Sequence, residues 1–252
     1  MAHNSSKGTA FAVRAVAPVL AAATLSAAAE ASLSATLTGY PAGLFENVGF
    51  SSTLSWDSSA AVTLHSIRAM QHSFAESNGN QWVSWCAEVY QGVELGSTYT
   101  FNVVNAADAP GGAVAPGPMG AIKASVVRDL FARWINAGTG MVNGSMSDRD
   151  AKSAAFQIAL WEITHENFSA TSAAGMVGQM ALGTGAFRAS IDGATASWYT
   201  QIVASLGAGG FQTTDLEGLT SETAQDQIRL VPTPGAVSLI ALAGLVGRRR
   251  RR

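Results

Sequence analysis

Charge is scarce in this chain, and cysteine is nearly absent. Only 13 % of the 252 residues are charged, and Cys86 is the single cysteine. One cysteine excludes an internal disulfide. It leaves open a buried inert thiol, an intermolecular disulfide, a nucleophile, or an internal crosslink to something other than sulfur. The four histidines (His3, His65, His72 and His165) show no metal-ligand spacing, so neither a metal nor another cofactor is expected. A cysteine hydrolase built on Cys86 with His72 or His165 lacks a nearby Asn or Asp to complete the triad logic, and the expectation is that the protein is not an enzyme. No apolar run reaches the roughly 20 residues of a comfortable permanent membrane span. What is abundant is apolar surface: at 48 % hydrophobic the chain can bury a sizeable core in one globular domain.

Both ends read as processing signals. Residues 1–31 carry Lys7 and Arg14, an apolar stretch over 15–25 and a small-x-small site at Ala29-Glu30-Ala31, the pattern of a secretory leader. At the other end, residues 231–252 hold Pro232-Thr233-Pro234, a short apolar segment over 237–246, and five arginines that include Arg248, Arg249 and Arg250. Physically this is a hydrophobic helix held by a block of positive charge on the cytoplasmic side, too short for a permanent span and suited to transient insertion. Without these ends the body has 8 basic and 16 acidic residues and only Lys123 and Lys152 as lysines. That acidity argues against nucleic acid and against anionic membrane surfaces as partners.

Between the ends, over 32–230, the order is β, then helical, then β. Residues 53–56, 61–64 and 99–103 alternate with period two, separated by Ser, Gly and Asn clusters. Residues 82–90 are the clearest strand, with Val83, Trp85, Ala87 and Val89 on a core face and Cys86 on the other face beside Ser84 and Glu88. The Glu94-Leu95-Gly96 turn suggests a hairpin into the next strand. A helix is expected over 119–137, with Gly138 as its C-cap, and another over 196–206. Strand texture returns up to 231, where Asp226 and Gln227 read as a polar edge pattern with no chemistry assigned. The expected fold class is α+β: an antiparallel β-sandwich or barrel-like sheet with a helical insertion between the Cys86 strand and the Gln157 helix.

That Gln157 helix organises the chain. Ser147 is placed to cap it, with Asp150 at N3. Stepping 100° per residue, Ala155, Ile158 and Ala159 fall on one face, Phe156, Leu160 and Ile163 on another, and Trp161 on a third, so the helix is apolar nearly all round and should be buried. Gln157 lies one turn before Trp161. A buried primary amide needs several hydrogen-bond partners or a different fate, and the one cysteine offers such a fate.

Two resemblances sharpen this. The tail resembles the PEP-CTERM sorting signal, with Thr233 where that family has glutamate. It implies an exosortase-type processing protease as partner, and the surface or extracellular matrix of a Gram-negative-type bacterium as destination. The body resembles bacterial thioester domains through Trp85-Cys86-Ala87-Glu88 on a strand and Gln157-Ile158-Ala159-Leu160-Trp161 on a helix, with Phe156 where that family has Thr. The resemblance implies an internal thioester, carried over as Cys86 and Gln157, and covalent adhesion to an unknown surface nucleophile bearing an amine or hydroxyl. Trp85, Trp161 and Phe156 are expected to shield the bond from water, and His165 or Glu162 to assist proton transfer. The alternative is a structural surface or matrix protein of the same fold whose thioester does not form.

Overall fold

The computed structural model describes residues 31–50, 62–112, 116–191 and 193–231. The expected leader and the expected sorting tail therefore lie outside the described residues, apart from Ala31 and Val231, as does the strand expected at 53–56. Eight strands form one antiparallel sheet: β1 (Ala31–Gly39), β2 (Gly43–Phe50), β3 (His65–Glu76), β4 (Gln81–Cys86), β5 (Thr98–Asn105), β6 (Phe187–Ser190), β7 (Leu216–Thr220) and β8 (Gln227–Leu230). Six of them close into a barrel in the order β1-β5-β7-β8-β4-β3, sealed by pairing of β3 back to β1. The barrel-like expectation holds at this level, and a closed wall stands in place of a two-sheet sandwich.

β3 is the strand that makes both closure and extension possible. Its last residues pair with β1 (Phe74 opposite Leu37), its middle with β4 (His72 opposite Ser84), and its first residues with β2 (Met70 opposite Gly43). β2 and β6 thus extend the sheet away from the barrel, which leaves β4 without a β3 partner beyond Trp85.

Period-two alternation sorts the wall into two faces. Inside, Phe74 stacks on Trp82 with ring centres 4.6 Å apart and meets Phe101 edge-on at 5.7 Å, among buried Ala35, Leu37 and Leu219. The Arg229 guanidinium lies 4.4 Å from the Trp82 ring centre and pairs with Glu217 and Glu76. Outside, Trp85 and Ile228 face the helices: α1 (Gly120–Trp134), α2 (Arg149–His165), the short α3 (Ala173–Val177) and α4 (Gly193–Ser205). α2 is buried from Lys152 to His165, as its all-round apolar pattern requires. Phe156 wedges between Trp85, at 4.2 Å, and Phe131, at 5.1 Å. Burying one such ring contributes about 2–3 kcal/mol.

Several local expectations are corrected. Residues 62–64 belong to no strand; the strand starts at His65. The 82–90 strand stops at Cys86, because Glu88 turns its carboxylate onto the N–H groups of Tyr90 and Gln91 and folds the chain into a turn. The Glu94–Gly96 turn exists but joins no hairpin: β5 pairs with β1 and β7, and β4 with β3 and β8. α1 ends at Trp134, not near Gly138, because Ile135 goes extended to pair with Val142 and Asn136 Oδ1 accepts from the N–H groups of Gly138 and Thr139. Asp148, not Ser147, occupies the N-cap of α2, after a 3₁₀ turn over Met146–Asp148. Asp150 instead accepts from the Gly43 N–H at 3.1 Å and ties α2 to β2.

Candidate functional site

Cys86 is the last residue of β4, and the strand's alternation aims its sulfur along the inner face with Ser84 and Trp82. The side chain is 1 % exposed, so bulk water does not reach it. Two side chains approach the sulfur. Gln225 presents its carboxamide oxygen 3.1 Å away, and the His72 ring nitrogens lie at 3.5 Å (Nδ1) and 3.8 Å (Nε2). His72 is held edge-on by Tyr40, with ring centres 5.5 Å apart, and by Phe74 at 6.3 Å.

Gln157 is brought to Cys86, but to its main chain. The Cys86 N–H donates to Gln157 Oε1 at 2.9 Å, and Gln157 Nε2 donates to the Cys86 carbonyl at 2.8 Å. α2 packs against the outside of the wall, whereas the sulfur points inward. Of the expected Cys86–Gln157 pair, Gln157 thus meets the Cys86 main chain, and the carboxamide hydrogen-bonded to the sulfur is that of Gln225. The expected shielding residues are displaced by the same geometry. Trp85 and Phe156 stack on each other outside the wall, and Trp161 is buried in the helical layer. Glu162 accepts from the Ala181 N–H at 2.8 Å, and His165 bonds Thr164 and the Trp161 carbonyl while packing against Phe187.

The Gln225 side chain is fixed from both ends of the chain. Its Nε2 donates to the Glu88 carbonyl at 2.7 Å. Asp226 N donates to Glu88 Oε1 at 3.2 Å, and Ala87 N donates to the Asp226 carbonyl at 2.8 Å. The Asp226 carboxylate accepts from Gly111 N and Ser221 N at 2.6 and 2.7 Å. Gln227 adds a second layer: its Oε1 accepts from Ser84 Oγ at 2.9 Å and stands 3.1 Å from His72 Nδ1, and its Nε2 donates to the Gln225 carbonyl at 3.0 Å. Asp226 and Gln227 are fully buried, and β8, which starts at Gln227, is flanked on both sides, so the expected edge pattern is corrected as well.

Burial pushes the Cys86 thiol well above its ordinary range, and the nearby Glu88 carboxylate adds to the shift. A free thiolate is therefore disfavoured, and attack by this sulfur requires a base in contact. Burial also drives His72 down to about 4, which keeps the imidazole neutral at pH 7. Burial raises Glu88 to about 7.

A cleft of about 180 Å³ opens onto this group, lined by Tyr40, Arg68, His72, Val89, Val93 and Gln225 among others. It gives a small molecule or a projecting side chain a way in from solvent. Among the described residues, no three His, Cys, Asp or Glu side chains gather as a metal site, and no helix is long and apolar enough to cross a membrane.

Gln225 is the site residue that spacing arguments passed over, while Gln227 was read only as part of a polar edge and His72 only as a hydrolase partner lacking a triad. One signal was available. Gln225-Asp226-Gln227 sits between Ala224 and Ile228, so polar residues occupy both faces of a strand start. A half-exposed strand would alternate; polarity on both faces points to a buried hydrogen-bonding role. No protein-family model, no curated protein and no solved structure matches this chain.

Proposed function

We propose that the domain forms an internal thioester between Cys86 Sγ and the side-chain carbonyl carbon of Gln225, and that the bond serves covalent attachment of an exported surface or matrix protein. The observation that carries this reading is the 3.1 Å approach of the Gln225 carboxamide oxygen to a sulfur that is 1 % exposed. In the forming step the sulfur attacks the carbonyl carbon, the carbon–nitrogen bond breaks, and the amide nitrogen leaves as ammonia with the thiol proton. Gln157 acts as a positioning residue, holding the main chain of Cys86 while the sulfur reacts. Export, processing by an exosortase-type protease and transient membrane insertion rest on the two sequence ends alone.

Intact mass tests the proposal directly. The purified mature chain should fall short of its theoretical mass by one ammonia, and methylamine should raise it to one methylene above the theoretical mass. Cys86→Ala and Gln225→Ala should abolish the deficit, whereas Gln157→Ala should retain it at lower yield. Full theoretical mass in a freshly purified native chain, with a thiol that labels without methylamine, would instead support a structural protein of this fold without a working crosslink.

A further inference from the structure

The cleft in front of the proposed thioester has a polarity of its own. Arg68 is exposed at its mouth, with its guanidinium carbon 5.2 Å from the Tyr40 ring centre and 4.6 Å from that of Phe45, itself 62 % exposed. Among the described residues no carboxylate lines the cleft, and Glu88, whose field reaches the Cys86 sulfur, lies outside the lining. Glu94, whose field reaches Tyr40, is exposed and outside the lining.

At the inner end, the hydrogen bonds fix the state of His72. Gln227 Nε2 donates to the Gln225 carbonyl, and Gln227 Oε1 accepts from Ser84. The atom facing His72 Nδ1 is therefore an oxygen that only accepts, and the ring proton sits on Nδ1. His72 Nε2 keeps its lone pair, 3.8 Å from the sulfur. The neutral form needed for this is the one burial favours.

We propose that this cleft selects hydroxyl groups carried on neutral or anionic molecules over protonated amines, with Arg68 excluding ammonium ions and His72 Nε2 taking the hydroxyl proton. The inference rests on the thioester reading above. An amine reaches the cleft at neutral pH as an ammonium ion, which meets a guanidinium at the mouth and no carboxylate among the described lining residues. A hydroxyl arrives uncharged but attacks poorly until a base removes its proton. In the capture step the hydroxyl oxygen bonds to the Gln225 carbonyl carbon, its proton passes to His72 Nε2, and the carbon–sulfur bond breaks. The departing sulfur takes the proton from His72. The products are an ester on the Gln225 side chain and a free Cys86 thiol.

The test uses the purified mature chain, glycerol and methylamine at equal concentration at pH 7, and intact mass. The glycerol ester should accumulate at least as fast as the methylamide, against the order in solution, where amines win. Arg68→Glu should raise the methylamide rate about tenfold. His72→Ala should slow the ester about a hundredfold, and added imidazole should restore it. Amide without ester in the unaltered chain overturns the selection, and so does an Arg68→Glu chain with unchanged rates. A His72→Ala chain that forms ester at the original rate removes the base. Absence of the ammonia deficit before any nucleophile is added is a separate result: it defeats the thioester itself.

Discussion

The side-chain amide of Gln157 stands where a strand is missing beside Cys86. β3 pairs with β4 only as far as Gln71 opposite Trp85, then turns away to pair with β2. Cys86 would be left with an unpaired N–H and carbonyl on that edge. Gln157 supplies the acceptor at 2.9 Å and the donor at 2.8 Å, as a strand residue would. The buried amide thus finds its partners in the main chain, and the same contact locks the residue that carries the sulfur. Gln157→Ala should strip both bonds inside a fully buried site. At about 1–3 kcal/mol for each unpaired buried group, the loss should total roughly 3 kcal/mol, read as a lower urea midpoint at constant slope. Gln157→Glu should also destabilise, because a carboxylate replaces the donor. If Gln157→Ala matches the unaltered chain, the amide is not completing the sheet.

The turn after β4 and the turn before β8 are stitched by two acids. Asp226 takes the N–H groups of Gly111 and Ser221, and Glu88 takes those of Tyr90, Gln91 and Asp226. These contacts set the position of Gln225 without touching the sulfur. Asp226→Ala should therefore cost about 2–4 kcal/mol, since charge-assisted bonds are worth about 1.5–3 kcal/mol each and part of that is regained from water. It should also reduce the fraction of chains with the ammonia deficit. A variant that is destabilised yet fully crosslinked would separate Asp226 from the alignment of Gln225.

The fold was legible in the sequence where periodicity is strong and burial is one-sided or complete. The all-round apolar pattern of residues 154–163 gave α2 and its burial, and residues 99–103 fell inside β5. The closed barrel was less legible. Closure depends on β3 serving three partners in succession, and a strand's own residues do not name its neighbours. At the site, the expected Cys86 and Gln157 are neighbours, but the contact runs through the Cys86 main chain while the sulfur meets Gln225. Short motifs locate residues, whereas the inward or outward direction of the sulfur follows from where the barrel wall lies. The role of Gln225 was hidden for a related reason: its partner, the Glu88 carbonyl, is main chain and leaves no mark in composition.

Stability should peak on the acid side of neutrality. Burial raises Glu88 to about 7 and Glu162 to about 8. Each such acid contributes stability that is full below its unfolded value, near 4.5, and is lost as pH rises through the folded value. Burial lowers His72 to about 4 and His165 to about 3. Each of these contributes stability that is present above the unfolded value, near 6.5, and is lost as pH falls through the folded value. Between about 4.5 and 6.5 the two slopes oppose each other and largely cancel. Above 6.5 only the acids act, and stability should fall by on the order of 2 kcal/mol by pH 8. Thermal midpoints at pH 5.5, 7 and 8.5 should decrease in that order, and Glu162→Gln should flatten the decline. A midpoint that rises from pH 5.5 to 8.5 would contradict the burial of these carboxyl groups.

Opening the proposed crosslink should loosen the whole domain and not the site alone. Cys86 and Gln225 are 139 residues apart in sequence, so the bond would close β5, β7 and all of the helical layer into one ring. On the chain-entropy model, a ring of that size raises the free energy of the unfolded chain by about 5 kcal/mol. The native contacts need not change when the ring is opened, because the sheet and α2 hold Cys86 in place through its main chain. Methylamine-treated protein should therefore keep its far-ultraviolet dichroism and show a lower denaturant midpoint with a somewhat larger slope, as the unfolded chain expands. Cys86→Ala, which never forms the ring, should behave like the treated protein and be insensitive to methylamine. Equal midpoints before and after complete methylamine addition would mean that the folded body gains nothing from the ring. The bond would then have to be assigned to the short contact between the two side chains, with no part in holding the barrel closed.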